Sequence, residues 1–187
     1  MVVGGGSARD HALVRALRRS QNVGYVLFVP GNSAVEHLEG VASAPVATQD
    51  TLGLVELAEM EEIDLTVVGP NTPLIMGVVD AFRHAGLRIF GPDRAAARLE
   101  GSKVFSKNFM LRAGVPTARF AVFHDTARAK HFCRSTRWAR VVKTDALAYE
   151  RGVAVCADVD ECEAAIERIM VDEVLEADSP ARVVLEE

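Results

Sequence analysis

The sequence predicts an α/β fold, with a doubly wound and mostly parallel sheet over residues 1–92. Short apolar runs in this region alternate with longer amphipathic stretches, which is the pattern of βαβ units. Glycine-containing loops follow the apolar runs at 4–6, 31–32, 69–71 and 91–92. The carboxyl ends of parallel strands meet at one edge of the sheet, and such folds bind ligands there. We therefore expect these loops to form a binding edge.

The strands and helices of this first domain are predicted from the spacing of apolar residues and from the glycine and proline residues that separate the apolar runs. Strands are predicted at 1–3, 25–29, 45–47, 64–68 and 87–90, and helices at 9–20, 51–62 and 73–85. Leu13 and Leu17 are one turn apart, so they define the buried face of the first helix. Asp50 is a suitable N-cap for the second helix.

The period of the apolar residues changes after Lys103, and we predict a second domain over residues 93–187. An alanine-rich helix follows Pro92, and Ser102 is a suitable N-cap for a helix over 104–112, which Gly114 and Pro116 end. Further strands are predicted at 120–123, 140–143, 153–156 and 182–186, with helices at 126–135 and 160–176.

Composition excludes several classes of protein. Of the 187 residues, 49% are hydrophobic and 25% are charged, which favours a packed core over disorder. The net charge of −5 gives no reason to expect a nucleic-acid partner. The sequence contains neither a membrane-length apolar run nor a signal-peptide pattern. The 3 cysteines and 5 histidines lack metal-ligand spacing, so we expect reduced thiols, no metal site of their own and a cytoplasmic protein.

The first glycine loop lies between a strand and a helix, so its N–H groups and the helix dipole can face an anion. A nicotinamide or flavin dinucleotide would require a third glycine at the usual spacing and a carboxylate that ends the second strand. That strand instead ends at Pro30, Gly31 and Asn32. A dinucleotide site is therefore disfavoured, whereas a tight glycine turn without any ligand stays open as an alternative.

The loop also carries a resemblance to a known family. Residues 5–13, GGSARDHAL, resemble the G-x-G-G-R-E-H-A-L loop of phosphoribosylamine–glycine ligases, the glycinamide ribonucleotide synthetases of purine biosynthesis. The similarity continues through VPGN at 29–32, DLTVVGP at 64–70, residues 86–103, VVK at 141–143 and VVLEE at 183–187. The motifs occur in one register along the whole chain, which makes the match specific.

The resemblance implies an ATP-grasp ligase that acts on small molecules. In this family ATP phosphorylates the carboxylate of glycine, and the amine of phosphoribosylamine displaces phosphate. The resemblance implies that ATP is accompanied by Mg²⁺. The implied substrate-binding residues are Gly5, Gly6, Ser7, Arg9, Asp10, His11, Gly31, Asn32, Pro70 and Asn71. The implied ATP-binding residues are Lys103, Lys143, Gly152 and Glu186, and no catalytic residue is assigned.

The sequence departs from the family pattern at three places. The family's K-A-D-G-L-A-A-G-K-G-V loop, a flap over the ATP phosphates, reads KTDALAYERGV at 143–153 and has lost two of its three glycines. Glu150 brings a negative charge into that loop. Ser7 and Ala8 replace two glycines, and Asn71 replaces the glutamate of the family's G-P-E-A-P-L motif.

The metal-binding carboxylates and asparagine of the family lie beyond position 187, so we expect an incomplete ATP-grasp domain that cannot complete catalysis alone. Completion would need a C-terminal part or a complementing chain, and residues 183–187 are interpreted as an interdomain strand. A non-catalytic sugar-phosphate-binding or regulatory paralogue is the alternative function, and a product without function is a third. Lys103 also has a simpler interpretation, as a solvated residue at a helix start.

Overall fold

The computed structural model describes residues 1–35, 37–145, 152–172 and 182–187. The chain divides into two compact units, Met1–Ala97 and Arg98–Glu187. The strands are β1 Val2–Gly4, β2 Val26–Pro30, β3 Val41–Ser43, β4 Thr66–Val68, β5 Ile89–Phe90, β6 Phe120–Phe123, β7 Val141–Thr144, β8 Val153–Val155 and β9 Val183–Glu186. The α-helices are α1 Ala8–Arg18, α2 Thr51–Met60, α3 Asn71–Met76, α4 Val78–His84, α5 Arg94–Gly101, α6 Lys103–Ala113, α7 Thr126–Ser135 and α8 Val159–Glu167. None of the helices in these described ranges is long and apolar enough to cross a membrane.

The first unit contains a five-stranded parallel sheet in the order β3-β2-β1-β4-β5. The chain runs outward from β1 to β3 and then returns to β4 on the other side of β1. The strand order therefore reverses between β1 and β4, which is the switch point where open α/β sheets bind ligands. Gly4 ends β1 beside Pro30, and the Gly69 N–H after β4 donates to the Val3 carbonyl at 2.9 Å.

Both faces of this sheet are buried, as the doubly wound prediction requires. Side chains alternate along β1 and β2, so Val3 and Val29 pack with Leu54 and Phe82 on one face. Val2, Val26 and Phe28 pack with Val14 of α1 on the other face. The α/β class and the mainly parallel sheet are confirmed.

Two elements of the first unit differ from prediction. The third strand is Val41–Ser43 instead of 45–47, since Pro45 has no N–H for a ladder while Val41 pairs in register with Val26. The helix predicted at 73–85 is two helices, α3 and α4. Gly77 separates them in the left-handed conformation at φ 96°, which a glycine adopts without steric cost.

The second unit contains a four-stranded antiparallel sheet in the order β6-β9-β7-β8. The segment interpreted as an interdomain strand is thus β9, an inner strand of this sheet. Helices α7 and α8 cover one face, where Cys133, Val142 and Ile166 are fully buried. After α8, Arg168–Asp172 forms a π-helical turn, and the predicted helical residues 173–176 lie outside the described part of the chain.

Candidate functional site

The glycine loop of the first unit is held by the first turn of α1. Ser7 is the N-cap, and its Oγ accepts a hydrogen bond from the Asp10 N–H at 3.2 Å. The Gly5 N–H donates to Asp10 Oδ2 at 3.2 Å, and Asn32 Nδ2 donates to the Gly5 carbonyl at 3.0 Å. The predicted residues Gly5, Asp10 and Asn32 are therefore brought together at the carboxyl edge of β1 and β2.

Asp10 limits which N–H groups of this loop are available to an anion. Its side chain is buried with 2% exposure, and Oδ1 has no hydrogen-bond partner among the described residues. A Cβ on Gly69 would lie 2.3 Å from Oδ1, so the switch point requires glycine at that position. Because the Gly5 N–H already binds a carboxylate, an anion at this loop would have to use the N–H groups that follow Gly5.

The other predicted residues of the first unit lie around this centre, and a Cβ on Gly5 would be 2.8 Å from the Gly31 carbonyl oxygen. Arg9 is exposed and His11 half-buried on α1. Gly31 has φ +83°, and a Cβ there would meet Ser43 Oγ at 2.3 Å. Pro70 precedes α3 and Asn71 begins it, so both follow the carboxyl end of β4. Pro70 and Asn71 thus lie at the edge of the sheet where binding is predicted, and the role of these residues in binding stays a prediction.

A cavity of about 550 Å³ opens at the opposite, amino edge of the sheet. Its lining includes the carboxylates of Glu61, Glu62 and Asp64, and no lysine or arginine is among the residues that line it. This excess of negative charge disfavours a phosphate ligand. The carboxyl edge remains the candidate site of this unit.

The second unit brings two predicted ATP-binding residues, Lys143 and Glu186, onto one face of its sheet. Lys143 Nζ donates to Glu186 Oε2 at 2.7 Å. Both side chains lie on the face of the sheet opposite to α7 and α8, because the neighbouring residues Val142 and Leu185 point into that helical layer. The Glu186 side chain is 7% exposed, so this ion pair is largely withdrawn from water.

Lys107 is a member of this cluster that sequence reasoning missed. Its Nζ lies 3.3 Å from Glu186 Oε2, and the Lys107 side chain is 10% exposed. The ammonium also donates to Thr117 Oγ1 at 2.8 Å and to the Ala118 carbonyl at 3.3 Å. The available signal was its i, i+4 spacing from Lys103, which places both lysines on one face of α6.

Lys103 is the first residue of α6, and the charges of Lys143 and Glu186 affect its pKa. Burial lowers the pKa of the Lys103 ammonium below its ordinary value, and the nearby Lys143 ammonium lowers this pKa further. The carboxylates of Asp145, Glu100 and Glu186 act in the opposite direction. Lys103 is half-buried, and its interpretation as a solvated helix-start residue stays open. A bound anion would relieve the repulsion between the two ammonium groups.

Gly152, the remaining predicted ATP-binding residue, is buried immediately before β8. The register pairs Val153 with Lys143, so Gly152 lies next to the strand that carries this lysine. The altered flap residues 146–151, which include Glu150, lie outside the described part of the chain.

Within the described ranges, no group of three or more His, Cys, Asp or Glu side chains could hold a metal ion. Glu186 faces two lysines and Asp145 lies against Arg182, so these carboxylates already have cationic partners. The residues that the structure describes therefore do not fit a Mg²⁺ site of their own.

The two units correspond to two domains of one enzyme family. Residues 1–100 match the family model "Phosphoribosylglycinamide synthetase, N domain", and residues 101–187 match "Phosphoribosylglycinamide synthetase, ATP-grasp (A) domain". The chain belongs to the phosphoribosylglycinamide synthetase family. The resemblance seen in the sequence motifs is thereby confirmed.

Several curated relatives of the chain are phosphoribosylamine–glycine ligases. Phosphoribosylamine–glycine ligase from Xylella fastidiosa strain Temecula1 is 46% identical over all 187 residues, and that of Allochromatium vinosum is 44% identical over 166 residues. The chain spans 43% and 39% of the length of these two relatives, respectively. The match therefore covers less than half of each of these relatives.

Solved structures agree with this assignment. The Thermotoga maritima phosphoribosylamine–glycine ligase matches the whole chain and 42% of its own chain, with a TM-score of 0.73 and 25% identity. The biotin carboxylase domain of Hydrogenobacter thermophilus 2-oxoglutarate carboxylase matches with a TM-score of 0.73, 18% identity and 43% of that chain covered. The second likeness concerns the fold alone, and that protein was solved with MgADP.

Proposed function

We propose that this chain supplies the substrate-binding and first nucleotide-binding parts of a phosphoribosylamine–glycine ligase. The complete reaction would activate glycine with ATP as an acyl phosphate and transfer the acyl group to the amine of phosphoribosylamine. One observation carries the nucleotide part: the Lys107 and Lys143 ammonium groups contact the Glu186 carboxylate on the sheet face opposite to α7 and α8, and the charges of Lys143 and Glu186 both affect the pKa of Lys103.

Each residue has a distinct role in this proposal. Lys103 and Lys143 would contact the ATP phosphates, where charge-assisted hydrogen bonds to a polyanion are strong and the partly buried setting reduces screening. Glu186 would fix the strand that meets the adenine and ribose. In the first unit, the loop held by Asp10 and Asn32 would receive the phosphoribosyl group beside Gly6, Ser7 and Asn71.

Magnesium would accompany the ATP phosphates and supply charge neutralisation during phosphoryl transfer. Because the described residues lack a fitting metal cluster, its protein ligands would have to come from elsewhere in the enzyme. The chain's own contribution is binding and orientation: the lysines hold the phosphates, and the first unit presents the amine.

The direct test is a calorimetric titration of the purified chain with Mg-ATP and, separately, with glycinamide ribonucleotide. We expect saturable binding of both, and we expect Lys103→Met and Lys143→Met each to weaken ATP binding by about tenfold or more. Lys130→Met is the matched control, because Lys130 pairs with Glu167 on the helical layer. Binding of the ribonucleotide without ATP would instead support the non-catalytic sugar-phosphate-binding paralogue.

A further inference from the structure

Asp145 forms side-chain contacts that the predicted site does not include. It follows β7 directly, and its side chain is 1% exposed. Its Oδ1 accepts a hydrogen bond from the Ser102 hydroxyl at 2.9 Å and another from the Val104 N–H at 2.9 Å. One carboxylate oxygen therefore holds both neighbours of Lys103 in the chain.

The other oxygen of Asp145 reaches a third segment. Asp145 Oδ2 lies 2.7 Å from Arg182 Nη2, and the Asp145 N–H donates to the Arg182 carbonyl at 3.0 Å. Arg182 immediately precedes β9, the strand that carries Glu186. Lys143 is two residues before Asp145 in β7. The carboxylate thus joins the three segments that carry Lys103, Lys143 and Glu186.

These contacts exceed what capping of α6 requires. Ser102 is already the N-cap, and its Oγ accepts from the Phe105 N–H at 3.1 Å. Asp145 adds a long-range connection, from a strand end to the first turn of the helix. A buried carboxylate is costly unless its oxygens are satisfied, so a group placed here is expected to fix geometry.

We propose that Asp145 is a positioning residue of the nucleotide site: it holds the first turn of α6 against the ends of β7 and β9, and so sets the spacing of Lys103 and Lys143 for a polyphosphate. This inference rests on the proposed nucleotide-binding function. Asp145 does not contact the ligand itself, because its oxygens face Ser102, Val104 and Arg182.

The test compares Asp145→Asn with the wild-type chain in titrations with inorganic tripolyphosphate, ATP and adenosine. Asparagine keeps the size and one acceptor oxygen but replaces the oxygen beside Arg182 with an amide. We expect a loss of about tenfold or more in affinity for tripolyphosphate and ATP, because misplacement of binding groups by about 1 Å is costly. Adenosine binding is expected to stay unchanged.

Asp125→Asn is the matched control, since Asp125 caps α7 by accepting from the Arg128 N–H at 2.8 Å and belongs to the helical layer. It should leave all three affinities unchanged. If Asp145→Asn lowers only the unfolding midpoint while the folded protein binds tripolyphosphate as tightly as wild type, Asp145 is a structural cap and the inference is overturned. If the wild-type chain binds neither tripolyphosphate nor ATP, the proposed function fails and the inference fails with it.

A ligand-free readout tests whether Asp145 and Lys103 are close enough to interact electrostatically. NMR titration of labelled lysine side chains reports the pKa of Lys103 directly. Asp145 raises this pKa, so Asp145→Asn should lower it further below the ordinary value. An unchanged Lys103 titration in the folded variant would contradict the proposed placement of Lys103 by Asp145.

Discussion

Lys143 and Glu186 lie on neighbouring antiparallel strands, with Nζ and Oε2 2.7 Å apart. The register pairs Lys143 with Val184, so Glu186 is its diagonal neighbour on the same face of the sheet. Lys107 adds a second cation 3.3 Å from the same oxygen. Because Glu186 is the shared counter-charge of both lysines, its loss leaves the two ammonium groups without their anionic partner.

Glu186→Gln tests this dependence. Glutamine preserves the shape of the side chain but removes the negative charge between Lys107 and Lys143. We expect the free energy of unfolding at pH 7 to fall by about 3 kcal/mol, the lower end for removal of one partner from a buried ion pair. Urea denaturation followed by circular dichroism measures the change.

Glu187→Gln provides the comparison one residue along the chain. Glu187 forms a two-bond ion pair with Arg119 at 2.9 and 2.7 Å, but both side chains are largely exposed, and exposed pairs contribute little. We expect a small effect there. Equal effects of the two substitutions would mean that burial of Glu186 has no energetic consequence.

Gly69→Ala tests the packing at the switch point of the first sheet. The added Cβ would lie 2.3 Å from Asp10 Oδ1, so Asp10 must move and weaken its bond from the Gly5 N–H. Overpacking of this kind costs about 2 kcal/mol. Gly24→Ala is the control, because a Cβ there meets no atom within 4 Å. A urea midpoint that shifts equally in both variants would contradict the close approach of Asp10 to Gly69.

Several helices and strands could be predicted because their capping residues and apolar spacing lie within the element itself. The predicted helix at 126–135 coincides with α7, where Asp125 caps the first turn, and the predicted strand at 120–123 coincides with β6. The strand predicted at 45–47 was wrong, since an apolar run does not reveal which residues pair with Val26. The helical spacing of apolar residues also continues across Gly77, so the sequence predicts one helix there. In the structure the left-handed conformation of Gly77 divides it into two.

The candidate site depends on contacts that are distant in sequence, and only some could be foreseen. Lys143 and Glu186 were found through motifs, yet their ion pair follows from β9 entering the sheet between β6 and β7. Lys107 was missed because a lysine in an amphipathic helix is ordinarily solvated. Its burial arises from a carboxylate 79 residues later in the chain, and no local pattern encodes that.

The three cysteines should be unreactive in the folded protein. Burial raises the pKa of Cys133 to about 12, and burial together with a hydrogen bond to Cys162 raises that of Cys156 to about 12. At pH 8 only about one thiol in ten thousand would be ionised at these positions, and the thiolate is the reactive form. We expect slow reaction with a disulfide reagent such as DTNB until guanidinium unfolds the chain. Rapid labelling of the native protein would contradict the buried thiol cluster.

Lys103→Met should separate stability from ligand binding. The folded-state pKa of Lys103 is lowered by burial and by Lys143, whereas the unfolded lysine titrates near its ordinary 10.5. Between these two values the unfolded chain binds the extra proton, so the contribution of Lys103 to stability rises with pH in that window and is unfavourable at neutral pH. Methionine removes this cost, and the variant should be more stable than wild type at pH 7.

Lys103→Met should also weaken tripolyphosphate binding. A bound anion relieves the repulsion between the Lys103 and Lys143 ammonium groups, and methionine removes one of these two charges. For the wild-type chain, affinity should decline as pH rises through the lowered pKa of Lys103, since the neutral amine no longer attracts phosphate. Urea denaturation and calorimetry at a series of pH values from 7 to 10.5 measure both effects, with Lys130→Met as the comparison. A Lys103→Met variant that is less stable at pH 7 would show that Lys103 stabilises the fold, and the electrostatic argument for an anion site would lose its basis.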